Sequence, residues 1–456
     1  MKNNIKINDN PEFRVQLRSK SRHESLSVMQ SRVLDFLERY YLGNRQPLAD
    51  ETNMISRDIA EEYGADIVSA VTGEECLTWI VPPKWEIGEG YVETSDGKRI
   101  ADIDWHPFYV ESYSVPFSGV ISREELLDHV LSSPEKPDRI LYSMRGQYVH
   151  GERTKWGISI PHSLINHLTD DRYKVHIDAK FTDGRMDVLD WTIPGDTKET
   201  VFFAAHSCHP GIVNDGLAGI VLLIELFRWL QQIHGRRYTY RLFVGPEYYA
   251  AAVILAKAKD MEKLKCGFFM DMPANGHPLG FSTSYNGNSY VDIVTRIALE
   301  EICTDGFIEK KYRELWGNDE IFYDGPGYEI PTVGIGRDHY EEYHTDHDDM
   351  ALFNLDQFET LDIVKKIITI FENDVIPTPC YKGPLYLSRY GLYIDPLKNE
   401  KGYRKLQEIQ ILMNGERSCV DIASKLGVGF NFVREFISEL EKNDLVKTIP
   451  ATLPVR

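Results

Sequence analysis

The chain has 456 residues, 42% of them hydrophobic and 11% aromatic, a composition typical of a globular protein with two or three domains. Its 51 lysines and arginines against 70 aspartates and glutamates give a formal charge of −19, which argues against bulk electrostatic binding to nucleic acid or to an anionic membrane. The 6 cysteines are scattered, so neither a disulfide framework nor a cysteine-type structural zinc site is expected.

The amino-terminal part of the chain is patterned for helices. Residues 1–25 are basic and lack the apolar segment of a signal peptide, so we expect a flexible leader and a cytoplasmic protein. No apolar run reaches the length of a membrane span. Residues 29–72 place apolar side chains at helical spacing, which predicts helices that end at Gly73.

A β-type segment follows. From Thr78 to about Val120 the sequence alternates and is rich in Trp, Tyr, Val and Pro, and its TSDGK turn predicts a hairpin. We expect Trp79 and Trp85 to lie in the core of this small module. From about residue 135 to 380, short apolar runs such as VFFAA and YRLFVG alternate with helical segments. That alternation predicts an α/β domain with a largely parallel sheet, whose functional residues cluster at the carboxyl ends of its strands.

In the last segment the strand–helix alternation gives way to a mostly helical pattern. Residues 403–448 contain three helical stretches, a tight GVGF turn and a short β-like end, the pattern of a helix-turn-helix followed by a wing. The predicted organisation is therefore a leader (1–25), an α/β domain (26–75 and 132–385), an inserted β-rich module (76–131) and a winged-helix-like domain (386–456).

Metal-capable side chains follow several of the predicted strands. His206 ends the buried run VFFAA, and Asp215 precedes the helix of LAGIVLLIELF. Glu247, Asp271 and His344 each come just after a later strand. Singly, Asp215 could cap its helix and His206 could be a hydrogen-bonded core histidine. As a set at the carboxyl ends of separate strands, the five match the ligands of a divalent metal such as zinc.

The order His, Asp, Glu, Asp, His resembles the co-catalytic zinc aminopeptidases, whose core is an eight-stranded mixed sheet flanked by helices. More closely, the chain resembles bacterial aminopeptidase-like proteins that join this core to a small β module and a C-terminal winged helix. The supporting stretches, within roughly residues 30–448, are WIVPPKW, YSVPFSG, WGISI, HSCHPGIVNDGLAGI and EYHTDHDDM. The resemblance implies an α/β fold with a mixed, mostly parallel sheet.

The resemblance also implies roles for individual residues. His206 matches the first histidine ligand, and Asp215 matches the carboxylate that bridges two metals. Asp271 matches the terminal carboxylate on the metal held by His206, while His344 matches the last histidine ligand, on the other metal. Asp348 follows His344 at the family's spacing, which implies that it orients that histidine.

Two departures leave alternatives open. The aminopeptidases have His-x-Asp at the first strand, but here Cys208 takes the place of the aspartate, as a thiol ligand or as a small buried residue, and His209 is a rival ligand to His206. They also have two adjacent glutamates, a general base and a ligand, whereas here the pair is Pro246–Glu247. We favour Glu247 as the base, with one or two zinc (Zn2+) ions.

The leading hypothesis is a zinc-dependent, aminopeptidase-like hydrolase of peptide or amide bonds, acting on a small peptide or amide substrate. The alternatives are a small-metabolite amidase or deacylase, a non-catalytic scaffold, and a winged-helix regulator. The last helical stretch is rich in glutamate, and a phosphate-binding face needs basic residues, so nucleic acid is not the expected partner. No membrane partner is expected, and a homo-oligomer stays open.

Overall fold

The computed structural model describes residues 19–144, 146–151 and 153–453 of the chain. Most of the predicted leader, residues 1–25, lies outside the described residues. Among the described residues, no helix is both long and apolar enough to cross a membrane.

The described residues form helices and strands along the whole length of the chain. The α-helices are α1 (Ser19–Tyr40), α2 (Asp50–Tyr63), α3 (Arg123–Asp128), α4 (His162–Ile165), α5 (Gly219–Gln231), α6 (Tyr249–Lys257), α7 (Tyr290–Ile302), α8 (Glu320–Tyr323), α9 (Thr360–Asn373), α10 (Glu400–Leu412), α11 (Cys419–Leu426) and α12 (Phe430–Lys442). The strands are β1 (Asp66–Val71), β2 (Glu75–Cys76), β3 (Trp79–Ile80), β4 (Lys84–Glu93), β5 (Arg99–Asp102), β6 (Phe117–Ser122), β7 (Val130–Leu131), β8 (Ile158–Ser159), β9 (Arg172–Thr182), β10 (Arg185–Ile193), β11 (Thr200–His206), β12 (Thr239–Gly245), β13 (Leu264–Met270), β14 (Leu279–Ser282), β15 (Ile308–Lys310), β16 (Thr332–Arg337), β17 (Val375–Pro379) and β18 (Val446–Pro450).

An eight-stranded mixed sheet forms the centre of the molecule, in the order β1-β10-β12-β11-β13-β16-β14-β15. The neighbouring strands β12, β11, β13 and β16 run parallel to one another. On one side β10 joins β12 antiparallel and β1 joins β10 antiparallel, and on the other side β14 joins β16 antiparallel. The predicted α/β class, a mixed and mostly parallel sheet flanked by helices, is confirmed. The carboxyl ends of four parallel strands therefore meet at one edge.

Alternate residues of β11 face two separate apolar layers, as the two-residue period of a strand requires. Phe203 and Ala205 pack with residues of α1, α5, α7 and α9. Phe202 and Ala204 pack on the other face with residues of α6 and α8. Every residue of β11 is buried, which explains its continuous apolar sequence and fixes His206 at its end.

The helical prediction for residues 29–72 is wrong at its end, because residues 66–71 form strand β1. Gly64 adopts a left-handed conformation (φ 68°) and ends α2, as glycine does at helix C-termini. The β-branched sequence DIVSAV then pairs with β10 along its whole length.

A second, four-stranded antiparallel sheet has the order β5-β4-β9-β6. The TSDGK turn joins β4 to β5, and Trp85 is buried in this sheet's own core with Val175 and Ile177. Strand β9 (Arg172–Thr182) lies outside the predicted 76–131 module. It pairs with both β4 and β6, so the small sheet includes a segment that is distant in the sequence.

The C-terminal helices α10, α11 and α12 precede β18, which pairs antiparallel with β17. Val420 and Phe436 belong to the same apolar cluster as Ile367 of α9, so this unit packs on the α/β core. The buried carboxylate of Asp374 accepts hydrogen bonds from the Val420 N–H (3.1 Å) and the Tyr290 hydroxyl (2.8 Å). Its assignment as a winged helix stays a prediction.

Candidate metal centre

The predicted site residues meet at the carboxyl edge of the central sheet. His206 is the last residue of β11, and Asp271 directly follows β13. Glu247 lies just past β12, and His344 lies in the loop after β16. Asp215 lies in an irregular turn, residues 214–218, that leads into α5. The structure thus brings all five side chains to one place because their strands are parallel neighbours.

His206, Asp215 and Asp271 form a first possible ligand group, in which one donor atom from each lies within 4.8 Å of the others. His206 Nε2 lies 3.0 Å from Asp215 Oδ1 and 3.2 Å from Asp271 Oδ2. Burial acts to lower the pKa of His206, but Asp271 and Asp215 outweigh it and hold that pKa well above its ordinary value. All three side chains are almost completely buried.

Asp215 also faces a second histidine. Its other carboxylate oxygen, Oδ2, lies 2.8 Å from His344 Nε2. Burial acts to raise the pKa of Asp215, but the imidazoles of His209, His206 and His344 hold it well below its ordinary value. The carboxylate therefore lies between two histidine-containing groups, as the bridging role implied by the resemblance requires.

Asp215 and His344 offer two donor atoms to a cation. Asp215 Oδ2 and His344 Nε2 are buried and 2.8 Å apart, yet within the described part of the chain neither has a hydrogen-bond partner of acceptable geometry. Unsatisfied buried acceptors are costly, and an ion between them would satisfy both. With imidazole and carboxylate donors, the residues present fit zinc.

His209 and Cys208 line the other side of His206. The Nδ1 atoms of His206 and His209 are 3.0 Å apart, and Cys208 Sγ lies 3.8 Å and 3.6 Å from them. His209 also forms a possible ligand group with Asp215 and His344. Cys208 is buried, and its sulfur accepts the backbone N–H of Glu247 at 3.3 Å. Burial lowers the pKa of His209 well below its ordinary value.

Glu247 lies beside these groups and has its own hydrogen-bond donor. Its Oε2 accepts the Tyr148 hydroxyl at 2.8 Å and lies 3.8 Å from His209 Nε2. Burial raises the pKa of Glu247, while the Tyr148 hydroxyl opposes the rise by stabilising the carboxylate. Tyr148 has no motif around it in the sequence, and sequence reasoning missed it.

An aromatic cluster adjoins Tyr148. Trp79 contacts Tyr148, Tyr248 and Phe322 at ring-centroid distances of 6.0, 5.5 and 5.4 Å. Trp79 therefore packs beside the candidate site rather than in the core of the small sheet, where Trp85 lies. These rings are half-buried, so they border the space next to Glu247.

Asp348 contacts the turn that carries Asp215. Its carboxylate accepts the backbone N–H groups of Asn214 (2.8 Å) and Asp215 (3.1 Å) and the Tyr340 hydroxyl (2.5 Å). These hydrogen bonds position Asp215, whereas the resemblance implied that Asp348 orients His344. Tyr340 and the buried Asn214 are thus part of the site's support.

Arg45, which sequence reasoning also missed, holds the loop after β11. It is fully buried and donates to the carbonyl oxygens of Ser207 (3.0 Å), Cys208 (3.0 Å) and Ile212 (2.7 Å). Burial lowers its pKa to about 10, so the guanidinium is charged at neutral pH.

Backbone strain is concentrated at this edge of the sheet. His209 (φ 78°), Tyr248 (φ 62°), Met272 (φ 46°) and His344 (φ 54°) are non-glycine residues in the left-handed region, one after each of the four parallel strands. Such conformations are uncommon and cluster at functional sites.

The chain matches a model of a protein family. The family model described as "Domain of unknown function (DUF4910)" matches residues 35–374, most of the chain. A protein of Clostridium acetobutylicum, provisionally named a polysaccharide biosynthesis protein with an aminopeptidase-like domain, is 25% identical over 401 residues, covering 86% of this chain and 90% of that protein.

Solved structures share the fold. A C. acetobutylicum protein provisionally described as a peptidase superposes with a TM-score of 0.83 at 22% identity, covering 94% of this chain and 99% of the other. A zinc aminopeptidase of Bacillus subtilis has a TM-score of 0.54 at 13% identity, with 76% and 94% covered. A peptidase M28 precursor of Shewanella amazonensis has a TM-score of 0.53 at 12% identity, with 77% and 96% covered. The chain therefore has the aminopeptidase-like fold.

Proposed function

The chain belongs to the DUF4910 family, and we propose that this member is a zinc-dependent hydrolase of peptide or amide bonds, most simply an aminopeptidase. The observation that carries the proposal is the placement of Asp215, whose two carboxylate oxygens face His206 on one side and His344 on the other. Similar proteins, which include a zinc aminopeptidase and a protein named for an aminopeptidase-like domain, support it.

In this proposal His206, Asp215, Asp271 and His344 hold the metal. Zinc bound there supplies a Lewis acid that acidifies water and polarises a carbonyl group. Glu247 takes the proton from the attacking water and passes it to the leaving nitrogen. Burial raises its pKa above the ordinary value, which favours a carboxylate that has to accept a proton and pass it on. Tyr148 fixes the orientation of the carboxylate.

The aromatic cluster supports a preference for apolar side chains in the substrate. Trp79 and Tyr248 are half-buried and contact Tyr148, which donates to Glu247, and Phe322 packs against both of them. Aromatic rings with a free edge or face bind apolar groups through burial and stacking. A small peptide or amide with an apolar side chain beside the scissile bond is the substrate class we propose.

The contacts of α12 support a partner other than nucleic acid. Arg434 donates to Glu441 at 2.9 Å and Lys442 to Glu439 at 2.6 Å, so the basic side chains of this helix are paired with its own carboxylates. Phosphate binding needs basic groups free to face the ligand.

The test combines metal analysis with a substrate panel. Protein purified without an affinity-tag metal is analysed for zinc, then assayed on aminoacyl and acyl-amide chromogenic substrates. We expect stoichiometric zinc and hydrolysis in the wild type. Glu247→Gln should keep the zinc and lose about 10²–10⁴-fold in rate. Exposed Glu61 supplies the matched control, Glu61→Gln, with full activity expected.

The outcomes separate the competing functions. Faster cleavage of acyl-amides than of aminoacyl substrates would identify a deacylase. A wild-type protein that neither contains nor takes up zinc would refute the proposal of a zinc-dependent hydrolase and favour a non-catalytic scaffold.

A further inference from the structure

The two oxygens of Asp215 have unequal surroundings. Oδ1 faces His206, with Asp271 completing a group of three donors. Oδ2 faces His344, and the resemblance implied a glutamate as the remaining donor on that side. Catalytic zinc sites use three protein ligands and leave one coordination position open. Asp215 Oδ2 and His344 would supply two ligands to an ion on this side, so one more protein donor is needed there.

His209 is placed to be that donor. One of its ring nitrogens lies within 4.8 Å of donor atoms from both Asp215 and His344. Its ring centroid is 5.4 Å from that of His344, and its side chain is almost completely buried. The left-handed backbone at His209 (φ 78°) turns the chain back toward the site just after β11.

We propose that His209 is the third protein ligand of a second zinc ion, held with His344 and bridged to the first ion by Asp215. The inference rests on the proposed function and deepens it. It also accounts for the missing second glutamate at Pro246–Glu247, because His209 takes the ligand role and Glu247 is left free as the base. Glu247 stays close, at 3.8 Å from His209 Nε2.

A rival site made of His206, Cys208 and His209 is less favoured. These three residues also form a possible ligand group, with Cys208 Sγ 3.6–3.8 Å from the Nδ1 atoms of the two histidines. The thiol, however, already accepts the Glu247 N–H. The unsatisfied buried atoms, Asp215 Oδ2 and His344 Nε2, belong to the group that contains His209, Asp215 and His344, and an ion there would satisfy them.

Metal counting tests the proposal without relying on activity. We expect about two equivalents of zinc in the wild type and about one in His209→Asn. Asparagine tolerates a positive φ, so the backbone at this position can be kept. The matched control is His234→Asn at an exposed histidine, which should keep both ions. In the cobalt-substituted wild type, the carboxylate-bridged pair should give a magnetically coupled signal, and His209→Asn should show an isolated ion.

A second measurement needs no variant and therefore does not depend on the folding of His209→Asn. Crystals of the zinc-loaded wild type, measured across the zinc absorption edge, should show two anomalous peaks, one of them about 2.0–2.1 Å from a His209 nitrogen. One peak only, or a second peak bound to Glu247 or Cys208 instead of His209, would overturn this inference and leave the proposed function standing. No zinc at all would overturn both.

Discussion

Gly216 is the position where backbone conformation and the candidate metal centre are most directly linked. Its φ of 116° and ψ of −75° are forbidden to residues with a side chain, and a Cβ there would lie 3.0 Å from both Cε1 and the carbonyl oxygen of His206. Its N–H donates to Asp271 Oδ1 at 3.1 Å. Any relaxation that makes room for a methyl group must therefore move one or both of His206 and Asp271, the proposed metal ligands.

We predict that Gly216→Ala destabilises the zinc-free protein by about 2.5–6 kcal/mol. The disallowed backbone contributes roughly 1–3 kcal/mol. The weakened hydrogen bond to a buried carboxylate adds about 1.5–3 kcal/mol. Because His206 and Asp271 shift, zinc affinity should also fall by about 10–100-fold, the loss that is typical when a residue that orients a metal ligand is replaced.

Gly235→Ala is the matched control, since Gly235 also has a positive φ (67°) but nothing lies within 4 Å of its added Cβ. It should cost only about 1–2 kcal/mol and leave zinc affinity unchanged. Urea unfolding of the zinc-free proteins and competition with a zinc chelator measure the two quantities. Equal destabilisation by the two substitutions, with equal zinc affinity, would show that the contact between Gly216 and His206 has no role.

Three further outcomes follow from the contacts around the site. Arg45→Met should lower the free energy of unfolding by about 2 kcal/mol more than Arg39→Met does, because buried Arg45 donates to three carbonyl oxygens, whereas Arg39 forms an exposed ion pair with Asp58 and lies over the Tyr40 ring; urea unfolding of both variants checks this. Tyr148→Phe removes a hydrogen bond that lowers the pKa of Glu247, so that pKa rises and the acid limb of kcat/KM moves to higher pH; an unmoved limb in the pH profile would contradict the base role. Trp79→Ala should raise KM roughly 10-fold for substrates with apolar side chains and leave kcat nearly unchanged, and steady-state kinetics on glycyl and leucyl substrates would show no such contrast if the cluster does not bind substrate.

The sequence predicted the large sheet well because its signals are local. Each buried parallel strand is a short apolar run, and β11 and β12 are followed by the apolar helices α5 and α6. The TSDGK turn likewise predicted the β4–β5 hairpin. Strand β9 was not predicted as a partner of β4, since pairing between distant segments depends on the packing of the whole module and has no local signature.

The candidate site shows the same difference between local sequence signals and contacts of distant segments. Residues that directly follow strands could be chosen from the sequence, because strand ends are visible in the hydrophobic pattern. His209 stayed an alternative, since its position depends on a left-handed φ that its neighbours do not reveal. Tyr148 and Arg45 reach the site from segments far away in the chain, and only the tertiary structure brings them to Glu247 and to the loop after β11.

The placement of the buried carboxyl groups also determines how a bound metal would change the stability of the fold. Without an ion, Asp215, Asp271 and Glu247 bring three carboxyl groups into one buried region, where burial raises the pKa of Asp271 and of Glu247. Strained residues such as His209 and His344 follow the rigid parallel strands and hold this region in place. A cation held among these carboxylates would offset their mutual repulsion, so under the proposed function zinc binding should raise the stability of the folded protein.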